Sequence, residues 1–163
     1  MSGPPPVLVV DLDGTLTPQD SLEVMLMGML RRPWTIPGAV AAARHGKAAL
    51  KFHLWERVGL DVATMPLTPD LLRWLRNEHA GGRRLVLATG SPEPLARAVA
   101  DRVGMFDGVF STTREHNLTG SAKAWRLLAE FGEGGFEYVG NSAADVAVWR
   151  HCPSGYACNA TDE

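Results

Sequence analysis

The spacing of apolar and polar positions changes twice along the chain and divides the sequence into three parts. Residues 7–10 form a short, unbroken run of apolar and mostly β-branched side chains, which is typical of a strand buried on both faces of a parallel sheet. Residues 17–81 are rich in leucine, methionine and alanine and carry no strand pattern. From Arg84 onward, short apolar runs alternate with stretches of helical period.

The middle part predicts only helices. They run from Asp20 or Ser21 to about Leu30, from Ala39 to His45, from Lys47 to Val58, and from Thr68 to about Ala80. Thr68 followed by Pro69 is typical of a helix start, because threonine caps the first amides and proline fits the first helical turn. We therefore predict that residues 17–81 form a small all-helical cap inserted into the rest of the chain.

The last part alternates strands with helices. The predicted strands are 85–88, 106–110, 136–139 and 156–158, and the predicted helices are 91–103, 121–130 and 143–150. This alternation predicts an α/β fold, with a Rossmann-like parallel sheet and helices on both of its faces. Residues 1–16 and 82–163 then make up the α/β core, and residues 17–81 the helical cap.

Composition and charge exclude several classes of protein. The chain has 163 residues and a formal net charge of −2, so it has no basic excess for nucleic-acid binding. Its 2 cysteines are too few for a disulfide framework. The first residues lack a signal-peptide pattern, and no apolar run approaches the roughly 20 residues that cross a bilayer. We therefore expect a cytoplasmic protein without a transmembrane segment.

Polar residues follow three of the predicted strands directly. Because the carboxyl ends of parallel strands meet at one edge of a sheet, we expect these residues to converge on one ligand, together with a lysine in the first turn of the 121–130 helix. They are Asp11, Asp13, Thr89, Gly90, Lys123, Asn141 and Asp145.

The pair of carboxylates after the first strand allows two interpretations. Residues two apart at the end of a strand point the same way, so Asp11 and Asp13 can both face one ligand, while Gly14 lets the chain turn away. One carboxylate could then attack phosphorus while the other protonates the leaving oxygen. Alternatively, the acids only cap a turn. A calcium loop is excluded, because its twelfth position would be Leu22 rather than an acid.

Four segments together resemble the motifs of the haloacid dehalogenase-like (HAD) hydrolase superfamily. DLDGTLT after the first strand resembles motif one, and LVLATGS resembles motif two. Lys123 resembles motif three, and GNSAAD resembles motif four. The motifs stand in the family's order, and the resemblance runs from about Val7 to about Ala160.

The resemblance implies a Mg²⁺-dependent phosphatase that forms an aspartyl-phosphate. Asp11 would be the nucleophile and Asp13 the general acid and base. Thr89, the backbone amide of Gly90 and Lys123 would bind the phosphoryl group. The Mg²⁺ ligands implied by the resemblance are Asp11, the Asp13 backbone carbonyl, Asn141 and Asp145. Phosphoryl transfer to a second substrate would use the same residues and stays open.

Asn141 departs from the usual motif, which has an acid at this position. An amide oxygen ligates Mg²⁺ without contributing negative charge, so we expect weaker metal binding. The GNSAAD and ATGS segments resemble more closely the soluble HAD-like domain associated with UbiA-type prenyltransferases, in which asparagine is usual. That resemblance implies an alternative, a catalytically weak binding or regulatory module that partners a prenyltransferase.

The expected substrate is a small phosphorylated compound. Trp34, Trp55 and Trp74 lie in the predicted cap, where they either pack the cap internally or line an apolar pocket. An apolar pocket would suit a prenyl or other lipid-like phosphate.

Overall fold

Five parallel strands form a sheet at the centre of the protein, in the order β3-β2-β1-β4-β5. The computed structural model describes residues 5–159. The strands are β1 (Val7–Val10), β2 (Leu85–Pro92), β3 (Gly108–Thr112), β4 (Phe136–Gly140) and β5 (Gly155–Ala157). The predicted α/β fold class is confirmed.

Seven helices connect or cover the described strands. They are α1 (Ser21–Leu30), α2 (Ile36–Arg44), α3 (Lys47–Arg57), α4 (Pro69–Ala80), α5 (Glu93–Val103), α6 (Ser121–Phe131) and α7 (Val146–Trp149). The Asp20 carboxylate accepts hydrogen bonds from the backbone amides of Leu22 and Glu23, so it caps α1 at the predicted start.

Alternate residues of β1 face opposite sides of the sheet. Leu8 and Val10 lie in one buried cluster with side chains of α4 and α5, and Val9 lies in a second cluster with side chains of α6 and α7. All three residues are fully buried. Helices therefore cover both faces of the sheet, as the continuous apolar run of β1 predicts.

The helices before β2 divide into two groups by what they pack against. Met25, Ala39 and Leu54 of α1, α2 and α3 form a separate small cluster. Leu71 and Leu75 of α4 instead pack with the strand residues of the main core. The sequence-based boundary assigns α4 to the cap, whereas its packing joins it to the sheet, so we propose residues 17–67 as the helical insertion.

Several predicted element bounds differ from the structure by two to four residues, and two of the differences have a local reason. β2 continues past Ala88 to Pro92, because Pro92 pairs with Thr112 beyond an irregularity in the ladder. The helix predicted at 143–150 begins as a short 3-10 turn over Ala143–Asp145, which the Asp145 carboxylate caps by accepting from the Ser142 amide.

The strand order creates a crevice between β1 and β4. From β1 the chain moves to β2 and β3 on one side, and it then crosses back to β4 on the other side of β1. Helices leave β1 and β4 on different sides of such a switch point, so the carboxyl ends of these two strands are open to a ligand.

The opposite edge of the sheet is held by a buried arginine. Arg83 donates to Glu78 Oε2 at 2.9 Å, to Glu137 Oε2 at 2.6 Å and to the Pro6 carbonyl at 2.9 Å. The Tyr156 hydroxyl also donates to Glu137 Oε2, at 2.8 Å. Partial burial acts to raise the pKa of the Glu137 carboxyl, but the hydrogen bonds from Arg83 and Tyr156 hold that pKa below its ordinary value of 4.5.

We expect Glu137→Gln to lower the free energy of unfolding by about 2 kcal/mol near neutral pH, because it removes a charge-assisted pair from a mostly buried arginine. Since the folded-state pKa of Glu137 is depressed, its contribution is present above pH 4.5 and is lost as the pH falls through the folded pKa. Urea unfolding of the variant and the parent should therefore converge in acid. Glu130→Gln, in an exposed pair with Arg126, is the control and should change little.

Candidate active site

A cavity of about 200 Å³ lies at the carboxyl ends of β1, β2 and β4. Its lining combines polar and apolar side chains and draws on the core and on the helical insertion. The charged and amide residues that line it are Asp11, Asp13, Asp20, Lys51, Lys123, Asn141 and Asp145.

A buried ion pair forms the floor of this cavity. Lys123 Nζ donates to Asp11 Oδ1 at 2.7 Å and to the Tyr138 hydroxyl at 2.8 Å. The Tyr138 hydroxyl in turn donates to Asp145 Oδ1 at 2.7 Å. Asp11, Lys123, Tyr138 and Asp145 are all buried, so the chain of hydrogen bonds fixes their relative positions.

Burial and neighbouring charges oppose each other at Asp11. The pKa of the Asp11 carboxyl is raised to about 6, chiefly by burial and further by the Asp145 and Asp13 carboxylates, while the charge and hydrogen bond of the Lys123 ammonium limit the rise. Lys123 is thus the group that favours an ionised Asp11 at this buried position.

Three groups hold the carboxylate of Asp13. Ser91 Oγ donates to Asp13 Oδ2 at 2.6 Å, and the backbone amide of Ser21 donates to Asp13 Oδ1 at 2.8 Å. Thr89 Oγ1 lies 3.4 Å from Asp13 Oδ2. Thr89 is fully buried beneath the cavity, and its hydroxyl also accepts from the Ser91 amide at 3.0 Å. The start of α1 and the end of β2 therefore orient Asp13 together.

Gly14 makes room for Asn141. Its φ of +74° is in the left-handed region, and a side chain at residue 14 would overlap the Asn141 amide. Asn141 Oδ1 accepts from Thr15 Oγ1 at 3.4 Å. The turn after β1 thus packs directly against the turn after β4.

The cavity offers oxygen ligands of the kind that Mg²⁺ prefers. Asp11, Asp13 and Asn141 line it with carboxylate and amide oxygens, and this donor set fits Mg²⁺. Both carboxylate oxygens of Asp145 already accept hydrogen bonds from protein groups. Its Oδ2 accepts from the Asn141 and Ser142 backbone amides at 3.0 and 3.1 Å, and its Oδ1 accepts from the Tyr138 hydroxyl. Within residues 5–159, no three His, Cys, Asp or Glu side chains cluster as a metal site. The donor set is therefore poor in charge.

The structure brings most of the sequence-predicted residues to one cavity. Asp11, Asp13, Gly90, Lys123, Asn141 and Asp145 all line it, and Thr89 lies just below. The sequence pattern did not indicate Tyr138 or Lys51, and it placed Ser91 at the end of the second strand without assigning it a role. Ser91 follows Thr89 by two residues, so strand alternation predicts that both hydroxyls face the same side and reach the Asp13 carboxylate. Tyr138 lies within a strand pattern, and Lys51 lies within a helical one, so neither carried a signal of its own.

Lys51 extends from α3 of the helical insertion into the cavity. Its ammonium donates to the Gly90 carbonyl at 2.6 Å and to Asn117 Oδ1 at 3.0 Å. A side chain at residue 90 would lie 3.3 Å from Lys51 Nζ and 2.5 Å from Thr119 Cγ2, so glycine permits this approach. Burial lowers the pKa of Lys51, while the Asp13 and Asp20 carboxylates oppose that change. The insertion therefore supplies a second cation to the cavity.

The tryptophans of the insertion and α4 do not line this cavity. Trp34 is 74% exposed. Trp55 packs at the edge of the hydrophobic clusters. The Trp74 ring packs against the Tyr156 ring at an angle of 59°, with ring centroids 4.9 Å apart. The apolar residues that reach the cavity from α1 are Leu22 and Met25.

Comparison with protein families identifies the chain. A model of the haloacid dehalogenase-like hydrolase family matches residues 56–150. The chain belongs to this family. The matched segment contains Thr89, Lys123 and Asn141, whereas Asp11 and Asp13 precede it. Membership confirms the family that the four sequence motifs indicate.

One curated relative has a similar sequence. It is the uncharacterized protein y4nM of Sinorhizobium fredii (strain NBRC 101917 / NGR234), which is 31% identical over 144 residues, covering 88% of this chain and 28% of that protein. The chain thus spans 28% of the length of the relative.

Several solved structures share the fold over nearly the whole chain. A HAD family hydrolase from Salmonella enterica subsp. enterica serovar Typhi has a TM-score of 0.69 at 18% identity, over 96% of this chain and 62% of that one. A protein from Bordetella pertussis Tohama I has a TM-score of 0.73 at 16% identity, over 98% and 92%. A substrate-bound phosphoserine phosphatase has a TM-score of 0.69 at 13% identity, over 99% and 89%. These likenesses include β1, which the family model does not reach.

No helix in the described part of the chain is both long and apolar enough to pass through a bilayer. Cys152 and Cys158 are both free thiols.

We expect Lys51→Met to weaken the binding of inorganic phosphate, a simple anionic probe of the cavity, about tenfold, because methionine keeps the length of the side chain and removes its charge. Isothermal titration of the variant and the parent measures the change directly. Lys47→Met is the control, since Lys47 is exposed on the same helix. Equal phosphate affinity in Lys51→Met and the parent would contradict a binding role for this ammonium.

Proposed function

We propose that the protein is a phosphatase that hydrolyses a phosphate monoester through an aspartyl-phosphate on Asp11. The observation that carries the proposal is the buried pair of Asp11 and Lys123 beside a hydrogen-bonded Asp13, all lining one cavity. A buried carboxylate paired with a lysine is poised for nucleophilic attack, and a second carboxylate two residues away is suited to proton transfer. Membership of the hydrolase family supports the same chemistry.

In the first half of the proposed reaction, a carboxylate oxygen of Asp11 attacks phosphorus and the bond from phosphorus to the leaving oxygen breaks. Asp13 donates its proton to that leaving oxygen, so the product alcohol departs neutral. Lys123 and Lys51 offset the negative charge that the phosphoryl group brings to a cavity already holding several carboxylates. The amide of Gly90 is a further donor for a phosphoryl oxygen.

In the second half, Asp13, now a carboxylate, accepts a proton from water. The resulting hydroxide attacks phosphorus, the bond between phosphorus and Asp11 breaks, and inorganic phosphate leaves. The hydrogen bonds from Ser91 and from the Ser21 amide keep the Asp13 carboxylate in place through both steps. The pairing of Asp11 with Lys123 is restored when phosphate departs.

We propose Mg²⁺ as the cofactor, held by Asp11, the Asp13 backbone carbonyl and Asn141, with Asp145 orienting the turn that carries Asn141. When bound, the ion supplies charge neutralisation to the phosphoryl group. The family motif implies that Asp145 is a direct Mg²⁺ ligand, whereas we propose that it is a positioning residue.

The volume of the cavity favours a small phosphorylated substrate. A cavity of about 200 Å³ leaves little room for a prenyl chain, and the insertion tryptophans lie elsewhere. We therefore prefer a small metabolite phosphate over a lipid-like phosphate, and we keep the cytoplasm as the proposed location.

Asp11→Asn should reduce turnover of an aryl phosphate by about a thousandfold or more, because the amide oxygen is a poor nucleophile. The rate of aryl alcohol release and the trapping of a phosphorylated protein measure the effect. Asp101→Asn, at an exposed position of α5, is the control. Undiminished turnover by a folded Asp11→Asn protein would remove Asp11 as the nucleophile.

Asn141→Asp should lower the Mg²⁺ concentration needed for half-maximal rate, because a carboxylate replaces an amide among the proposed ligands. It should also enlarge the rise in melting temperature that Mg²⁺ causes, since without the ion the new charge crowds Asp11 and Asp145. Thermal unfolding with and without Mg²⁺ tests this independently of activity. An unchanged Mg²⁺ response in both measurements would argue against Asn141 as a ligand.

A second candidate is a catalytically weak module that binds or regulates a partner, with a UbiA-type prenyltransferase as the partner indicated by the motif resemblance. Two observations favour it. Asn141 stands where the family motif has an acid. The matched region is 28% of the curated relative, so that relative is more than three times as long as the match. Binding of phosphate by the wild-type protein without any turnover across a panel of phosphorylated metabolites would favour this candidate over the phosphatase.

A further inference from the structure

The helical insertion exposes an unusual number of large apolar side chains. Seven such side chains are exposed within residues 5–159, and five of them fall between residues 27 and 40. The five are Met27, Leu30, Trp34, Ile36 and Val40. Leu30 is 73% exposed and Trp34 is 74% exposed. Single exposed apolar residues are ordinary, but a local group of this kind marks a surface that another body covers.

Within each helix, helical spacing places the exposed apolar side chains away from the buried residues. Met27 and Leu30 are three residues apart on α1, on the side away from the buried Met25. Ile36 and Val40 are four residues apart on α2, and the buried Ala39 lies on its inner side. We call the five exposed residues the apolar face.

Trp34 lies in the short 3-10 turn Pro33–Thr35, which packs against both α1 and α2. The turn therefore joins the exposed side chains of one helix to those of the other. Residues 30–34 are exposed without interruption, so this turn is the most accessible part of the face.

The segment that carries the apolar face contains no acid, although Asp61 lines the groove beside it. Residues 24–55 contain five of the 16 lysines and arginines of the chain and none of its 18 acids. Lys51 enters the cavity, and the other four are exposed: Arg31, Arg32, Arg44 and Lys47. Arg31 follows Leu30 directly, and Arg44 continues the exposed line of Ile36 and Val40 along α2. The rest of the chain is net acidic, so the positive charge is concentrated on the insertion.

The position of Arg31 connects the charge with the apolar residues. Met27, Arg31 and Arg32 line one groove of about 630 Å³ on the outside of the insertion. The Arg32 guanidinium donates to the carbonyls of Arg57 and Val58 at 3.0 and 2.9 Å, which holds its charge at this surface. Apolar and cationic groups are therefore neighbours rather than separate patches.

We propose that this apolar face docks on the surface of an anionic lipid bilayer. Tryptophan, leucine and methionine enter the boundary between headgroups and acyl chains, and flanking arginines bind anionic headgroups. A second copy of this chain is a poorer occupant, because a symmetric contact would bring two positive insertions together. With no described helix able to cross a bilayer, the contact is peripheral.

Docking through the apolar face would place the candidate active-site cavity on the other side of α1 from the lipid surface. The inner side of α1 lines the cavity with Ser21, Leu22 and Met25, while its outer side carries Met27 and Leu30. A single helix therefore separates the cavity from the lipid surface.

Sedimentation with lipid vesicles tests the proposal without relying on enzymatic activity. The wild-type chain should sediment with vesicles of phosphatidylcholine and phosphatidylglycerol in equal parts, and not with phosphatidylcholine alone. Leu30→Ser combined with Trp34→Ser should raise the lipid concentration for half-saturation about tenfold, because it removes the inserted side chains. Trp125→Ser is the matched control, since Trp125 is 69% exposed but lies on α6 of the core.

A second pair of variants tests the role of charge. Arg31→Gln combined with Arg44→Gln should also weaken vesicle binding about tenfold, and added salt should weaken wild-type binding. Arg73→Gln combined with Arg76→Gln, at exposed positions of α4, removes the same charge outside the insertion and should leave binding unchanged.

Several results would overturn the proposal. Wild-type protein that stays in solution with both vesicle types would exclude a lipid surface and leave a protein as the occupant. Equal binding to neutral and anionic vesicles would exclude the assigned role of charge. A wild-type dimer that the Leu30 and Trp34 substitutions convert to a monomer, without any vesicle binding, would assign the face to a second copy.

Discussion

The site depends on the buried ion pair between Lys123 and Asp11. Two charges so far from water are costly unless their geometry is good and their remaining hydrogen-bonding groups are satisfied. Tyr138 and Asp145 supply those partners, because the Tyr138 hydroxyl accepts from Lys123 and donates to Asp145. This arrangement is possible only because β4 returns to the side of β1, which brings residues more than a hundred positions apart into contact.

The helical insertion is part of this site as well as a cover for it. The Ser21 amide at the start of α1 holds Asp13, and Lys51 from α3 reaches the Gly90 carbonyl at the end of β2. Both contacts join the insertion to the strands that carry the proposed phosphoryl-binding groups.

Charge is divided unevenly between the two parts of the molecule. The cavity and the core are rich in acids, whereas the insertion carries a run of residues without any acid. Within the cavity, Lys51 and Lys123 offset the carboxylates, which an anionic substrate requires. On the outer side of the insertion, exposed arginines accompany exposed apolar side chains. The insertion therefore carries cationic side chains both at the cavity and on its outer surface.

Local pattern was sufficient to predict the strands, the fold class and the convergence of Asp11, Asp13, Lys123 and Asn141, because the carboxyl ends of parallel strands necessarily share one edge. It could not reveal that Lys51 enters the cavity or that α4 packs with the sheet. Nor could it show that the Asp145 carboxylate accepts hydrogen bonds from neighbouring backbone amides and from Tyr138. Helical period shows which side of a helix is apolar, but not which partner that side meets. Packing between segments distant along the chain determines those partners, because a buried charge without a hydrogen-bonding or ionic partner is energetically costly.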